Sequence, residues 1–126
     1  MWGYKLLIRF GEMKESEEKS MAMQHTPLLM SKIIDRGAKV APNEEIVTAT
    51  ENGVRRQTYK ETRDRAHQLA HALADAGIAV GDRVGTFMWN GSRHLEAYQA
   101  CAGMGAVLHT LNIRLSEKDL EYICLL

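Results

Sequence analysis

Residues 83–111 read RVGTFMW NGSRHLEAYQACAGMG AVLHTL, and this stretch decides the fold. Arg83–Trp89 is a short, mostly apolar run of the kind seen in parallel strands buried on both faces. Asn90 is placed to cap a helix spanning roughly Gly91 to Met104. Leu95, Tyr98, Cys101 and Ala102 lie on the apolar side of that helix. Gly105 ends it, and Ala106–Leu111 reads as a second strand. A strand, a crossover helix and a strand make a βαβ unit, which predicts parallel pairing and a right-handed crossover.

Upstream, Val80-Gly81-Asp82 is a turn, preceded by a long helical pattern. Thr58-Tyr59-Lys60-Glu61 fits a capping box at its start. Ala66, Leu69, Ala70, Leu73 and Ala74 share one face at helical spacing, and Gly77 supplies the stop. Two β-branched runs, Ile46–Thr50 and Val54–Thr58, flank Asn52-Gly53. That pattern predicts a hairpin whose two central turn residues take positive φ. Before it, Thr26-Pro27 opens a short helix through Arg36, with Gly37 as its end. Downstream, Ser116 caps a last helix containing Leu120, Ile123 and Cys124, with Asp119 three residues on. The predicted class is α/β: a hairpin plus a βαβ unit with flanking helices.

Residues 1–24 differ from this. Glu12–Ser20 is charged and aperiodic, which predicts a mobile N-terminal extension; Met1, Met21 and Met23 are alternative starts. Organisation covers residues 25–126. The final Cys124-Leu125-Leu126 comes without a glycine or proline stop, so the chain is expected to be cut within an element.

Bulk properties exclude several functions. In the 126 residues, 16 Lys and Arg balance 16 Asp and Glu. With no basic excess, nucleic acid and anionic membranes lack their usual electrostatic handle. There is no transmembrane-length apolar run and no secretory or mitochondrial leader pattern, so a cytoplasmic location is expected. Cys101 and Cys124 have no metal-ligand spacing and read as reduced, buried thiols.

Chemistry-bearing patterns are weak. His67 and His71 are helical neighbours, but the glutamate of a zinc-binding HExxH is missing, so solvated histidines explain them better. Gly103-Met104-Gly105 lacks the third glycine of a dinucleotide fingerprint and lies at a helix end before a strand, the wrong polarity. These are packing glycines. Cys101 could meet His94 or His109 only through tertiary placement, and its helix face argues for core. Asn90-Gly91-Ser92 matches a glycosylation sequon, yet Asn90 reads as a cap. Trp89 and Tyr98 are expected in the core, with an apolar ligand tunnel as the sharper alternative. His109, inside an apolar strand, is expected to be buried with a hydrogen-bond partner, or to lie near a ligand cleft.

Two stretches together carry a family resemblance: TYKETRDRAHQLAHALADAGIAVGDRV (residues 58–84) and NGSRHLEAYQACAGMGAVLHTLNIRLSEKDLEYI (residues 90–123). They resemble the N-terminal part of AMP-forming, adenylate-forming acyl-CoA ligases. The Gly77-Ile78-Ala79-Val80-Gly81-Asp82-Arg83-Val84 turn is widespread in that superfamily. His94–Tyr98 with Gly103–Asn112 is similar to medium- and long-chain fatty acyl-CoA ligases in particular. Ile113 departs from the proline that many relatives carry. The resemblance implies an incomplete N-terminal portion of a larger AMP-binding domain. The parent reaction joins ATP, a fatty acid and CoA, giving acyl-CoA, AMP and pyrophosphate through an acyl-adenylate. It implies ATP, Mg2+ and CoA for the full-length enzyme, and a homodimer. The family's phosphate loop, adenine-holding segment, ribose-binding aspartate and C-terminal lysine have no matching positions here. Hence no catalytic, cofactor-binding or metal residue is carried over, and this portion alone is expected to be inactive and to bind no cofactor. The alternative expectation is a free-standing binding or assembly module derived from the family.

Overall fold

The structure is a computed structural model describing residues 27–125. Its elements are α1 Ser31–Val40, β1 Glu45–Thr50, β2 Gly53–Thr58, α2 Tyr59–Asp75, β3 Arg83–Thr86, α3 Ser92–Met104, β4 Val107–Thr110 and α4 Glu117–Leu125. The extension expected over residues 1–24 lies outside the described residues. The α/β class holds. β3 and β4 pair in parallel, with Arg83 opposite Val107 and Thr86 opposite Thr110, and α3 is the crossover between them. β1 and β2 form a separate antiparallel hairpin. α2 packs on α3, and α1 packs across both.

Local signals explain most boundaries. Thr58 Oγ1 accepts from the Glu61 N–H at 3.1 Å, and the Glu61 carboxylate accepts from the Thr58 N–H at 2.8 Å. This is the reciprocal capping box, and hydrogen bonds from the Thr58 backbone and hydroxyl hold the Glu61 carboxyl below its ordinary range. At the far end of α2, Gly77 takes φ 92°. Its N–H reaches Ala74 O while the Ile78 N–H reaches Leu73 O, closing the helix with two bonds past its end. Gly105, at φ 78°, does the same for α3. Ser116 Oγ accepts from the Asp119 N–H at 3.3 Å and opens α4 as expected.

Five expectations change. Gly37 does not stop α1: the helix continues to Val40, and Gly37 instead provides room for the Tyr59 ring, which would lie 3.3 Å from an added Cβ. α1 opens at Met30–Ser31, not at Pro27, because Leu28 and Leu29 are exposed and have no packing face to hold a first turn; Thr26 lies outside the described residues. The hairpin turn is centred on Glu51-Asn52. Among the described residues no non-glycine has positive φ, and Gly53, at 117°, absorbs the turn alone. β3 ends at Thr86, since the last ladder bond runs from the Leu111 N–H to Thr86 O, and Phe87, Met88 and Trp89 are exposed beyond it. The strand is therefore not buried on both faces. Asn90 does not cap α3: Gly91 occupies the cap position without a side-chain bond, and Thr48 Oγ1 of β1 accepts from the Ser92 N–H at 3.0 Å. Gly91 permits this approach, because a Cβ there would come within 2.8 Å of the Thr48 methyl.

Among the described residues the buried apolar ones are Ala38, Ala66, Ala97, Ala100, Cys101 and Ala106, with no Leu, Ile, Val or Phe among them. Small side chains let α1, α2 and α3 approach closely, but each contributes little apolar area, at about 25 cal/mol per Å². Of the expected α2 stripe, Ala66 is buried, Leu69, Ala70 and Leu73 are half-buried, and Ala74 is exposed. On α3, Tyr98 and Ala102 turn outward, while Ser92, His94, Glu96 and Gln99 are buried. Polar bonds therefore carry much of the specificity here. Glu96, 5% exposed, accepts from Arg65 Nε at 2.7 Å, from Arg65 Nη2 at 3.2 Å and from Gln57 Nε2 at 2.8 Å. Gln57 also donates to Thr62 Oγ1 at 2.9 Å, and the Thr62 hydroxyl donates to Thr58 O. One carboxylate thus ties β2, α2 and α3 together.

Burial opposes ionisation of Glu96, but the bonds from Arg65 and Gln57 prevail and hold its carboxyl below the ordinary value. A lowered folded-state pKa contributes stability above the unfolded value and loses it as pH falls through the folded one. Arg65→Ala should cost about 1.5 kcal/mol near neutral pH, the lower end for a bond to a charged group because Arg65 is half-exposed and water can replace it. Urea unfolding followed by circular dichroism checks this. The gap between wild type and variant should close as pH falls below the ordinary carboxylate value of 4.5; a gap that stays constant down to acid pH would show that the carboxylate is not its source.

Candidate functional site

In open sheets with parallel strands, ligands meet the carboxyl ends of the strands. Here the chain leaves β3 through Phe87–Gly91 and β4 through Leu111–Arg114, and the two exits border an open groove of about 360 Å³. Trp89, Asn90, His94, Tyr98, Asn112 and Arg114 line it. Trp89 is 73% exposed and Tyr98 45%. The expectation of core aromatics therefore fails: no strand or helix covers this end of the two-stranded sheet among the described residues. The alternative of an apolar ligand tunnel does not fit either: the two line an open groove shared with Asn90, His94, Asn112 and Arg114.

His94 organises the wall. It is buried on α3, with Nδ1 3.2 Å from Asn90 Oδ1 and Nε2 3.1 Å from Thr86 Oγ1. Taking Oδ1 as the acceptor assigns the proton to Nδ1, so Nε2 accepts from the Thr86 hydroxyl. A neutral imidazole satisfies both partners. Its ring lies 5.0 Å from that of Tyr98 at a tilt of 43°. Asn90–His94–Thr86 has the connectivity of an orienting group, a base and a hydroxyl. Thr86 is buried, however, and does not line the groove, so its hydroxyl has no route to a substrate there. The arrangement is a support for Asn90 and Tyr98. Asn112 shapes the opposite side, its Oδ1 accepting from the Arg114 N–H at 3.0 Å. Ile113 lies between the two residues of this bond.

The other sequence candidates are scattered. His109 is exposed on β4, so it needs no protein partner, and it does not line the groove. His67 and His71 are exposed on α2; His67 Nε2 lies 3.6 Å from Asp35 Oδ1, and no group of three metal-capable side chains occurs among the described residues. Gly103 sits inside α3 beside Ser31, and Gly105 forms the left-handed cap. Cys101 is 0% exposed, and burial pushes its thiol pKa up. Cys124 is exposed, against expectation, because no residue of α4 is buried. Sequence reasoning missed His94 as the central polar residue. No local pattern marked it, because Asn90 lies outside α3, before the extended Gly91, and Thr86 belongs to β3.

Comparison with known proteins places this geometry. The AMP-binding enzyme family matches residues 34–125. The chain belongs to that family. Among its relatives, the long-chain-fatty-acid–CoA ligase of Thermus thermophilus is 48% identical over 91 residues, covering 71% of this chain and 17% of that protein. The 3-methylmercaptopropionyl-CoA ligase of Ruegeria pomeroyi is 42% identical over 102 residues, covering 80% and 19%. A Mycobacterium tuberculosis fatty acyl CoA synthetase superposes with a TM-score of 0.67 at 28% identity, over 74% of this chain and 18% of that one. The chain thus spans under a fifth of the length of these AMP-binding relatives. No described helix is long and apolar enough to cross a membrane.

The two thiols of this chain should separate cleanly. Cys124 should react with a thiol reagent under native conditions and Cys101 only after denaturation. Thiolate availability and access both favour the first. Mass spectrometry of the labelled peptides reads the order, and early labelling of Cys101 would show that α3 does not hold its packed position.

Proposed function

We propose that this chain is the N-terminal portion of a fatty acyl-CoA ligase, working only together with the parts of the domain that carry phosphate and adenine recognition. The match over residues 34–125 and the 48% identity to a long-chain ligase carry this reading. In the full enzyme a fatty carboxylate attacks the α-phosphate of ATP with Mg2+, and the CoA thiol then displaces AMP from the acyl-adenylate. The part played here is architectural. β3 and β4 supply the parallel seed of the sheet, Glu96 locks the hairpin to α2 and α3, and His94 sets the groove wall. A cytoplasmic homodimer completes the proposal.

Pyrophosphate exchange tests it. The 126-residue chain alone should show no fatty-acid-dependent exchange between ATP and pyrophosphate. A chimera in which its matching segment replaces that of the Thermus thermophilus ligase should exchange at a rate within about tenfold of the parent, a change of about 1.4 kcal/mol in barrier. A folded chimera without exchange would count against a ligase part, and exchange by the short chain alone would overturn its dependence on the rest.

A further inference from the structure

We propose that the first turn of α3 is an oxyanion site, a place for a phosphate group, independent of the ligase reading. The helix has 13 residues and begins without a side-chain cap of its own. The Ser92 N–H is taken by Thr48 Oγ1, and the Leu95 N–H by Gly91 O. The N–H groups of Arg93 and His94 have no protein acceptor among the described residues. A helix start with open N–H groups and the positive end of the helix dipole favours an anion.

A second observation points to a ligand. Ser92 is 1% exposed, and its hydroxyl has no hydrogen-bond partner. A buried hydroxyl left unpaired is unfavourable, and a small tetrahedral oxyanion could accept hydrogen bonds both from it and from the open N–H groups. Ser92 lies at the foot of an open groove of about 800 Å³ between the hairpin and the α3 start. Arg55 from β2 and Arg93 from α3 also line this groove. Glu51, in the hairpin turn, is the acid on the same groove, and it faces two guanidinium groups and a helix start. Guanidinium forks match phosphate geometry in a way that an ammonium does not. The groove therefore favours a phosphate dianion over a cation.

Hydrogen–deuterium exchange of the 126-residue chain tests the site with inorganic phosphate, glycerol phosphate and sodium chloride at matched ionic strength. Peptides spanning residues 91–96 should exchange about fivefold more slowly in phosphate, the factor expected when the free anion exceeds its dissociation constant about fourfold. Arg55→Gln and Arg93→Gln should each remove most of that protection without changing exchange in α2. Ser92→Ala should lose protection in phosphate while the anion-free chain stays folded and gains slightly in stability, since an unpaired buried hydroxyl is removed. Stronger protection by glycerol phosphate identifies an esterified phosphate as the ligand, and equal protection identifies the free anion. Equal slowing in chloride, slowing spread evenly over all helices, or protection that survives both arginine substitutions overturns the site.

Discussion

The carboxylate of Glu96 is the constraint on which the rest depends. It sits at the junction of β2, α2 and α3, nearly out of water, and its bonds go to side chains from the other two elements. A buried carboxylate is tolerated only when its partners replace the lost hydration. Here Arg65 supplies a two-pronged bond and Gln57 a third, so all three elements must sit in register for the charge to be satisfied. The same register brings β1 alongside the start of α3. That is why Thr48, a residue of the hairpin, can close the first turn of a helix 44 positions further along the chain.

Close backbone approach is the complementary device. Alanines and a cysteine form the buried apolar set, and three glycines stand where a larger neighbour leans in: Gly37 under Tyr59, Gly91 under Thr48 and Gly105 under Val80. At Gly91 the backbone is fully extended, so only space and not conformation demands glycine. At Gly105 both apply, because φ is left-handed and a Cβ would lie 3.2 Å from Val80. Such packing specifies an arrangement more than it stabilises one. The large apolar side chains (Leu28, Ile33, Val80, Phe87, Trp89) are left outside.

Signals confined to a few consecutive residues were legible in the sequence. The Thr58–Glu61 box, the Gly77 and Gly105 stops, the Ser116 cap and the βαβ order all appear where local chemistry puts them. Several failures needed a partner distant in sequence. Gly37 reads as a stop until Tyr59 is known to cover it. Asn90 reads as a cap until His94 takes its oxygen and Thr48 takes its place. Trp89 and Tyr98 read as core because large aromatics usually are, and nothing local reveals that the strands end before covering them. Glu96 and Gln57 carry no sequence signal as a pair, since their contact spans 39 positions.

Family membership adds its own limit. Relatives at 48% and 42% identity over this region carry names for quite different acids, a long-chain fatty acid and 3-methylmercaptopropionate. What the segment contains in physical terms is the parallel pair, the small-residue helix contacts and the caps, all features that place elements. The polar groups left over are those of the His94-supported groove at the strand ends and, at the open first turn of α3, the buried and unpaired Ser92 hydroxyl. A scaffold with every polar group satisfied internally would have no reason to present either. The unsatisfied positions are therefore where this segment meets something else, whether the remainder of the domain or a ligand.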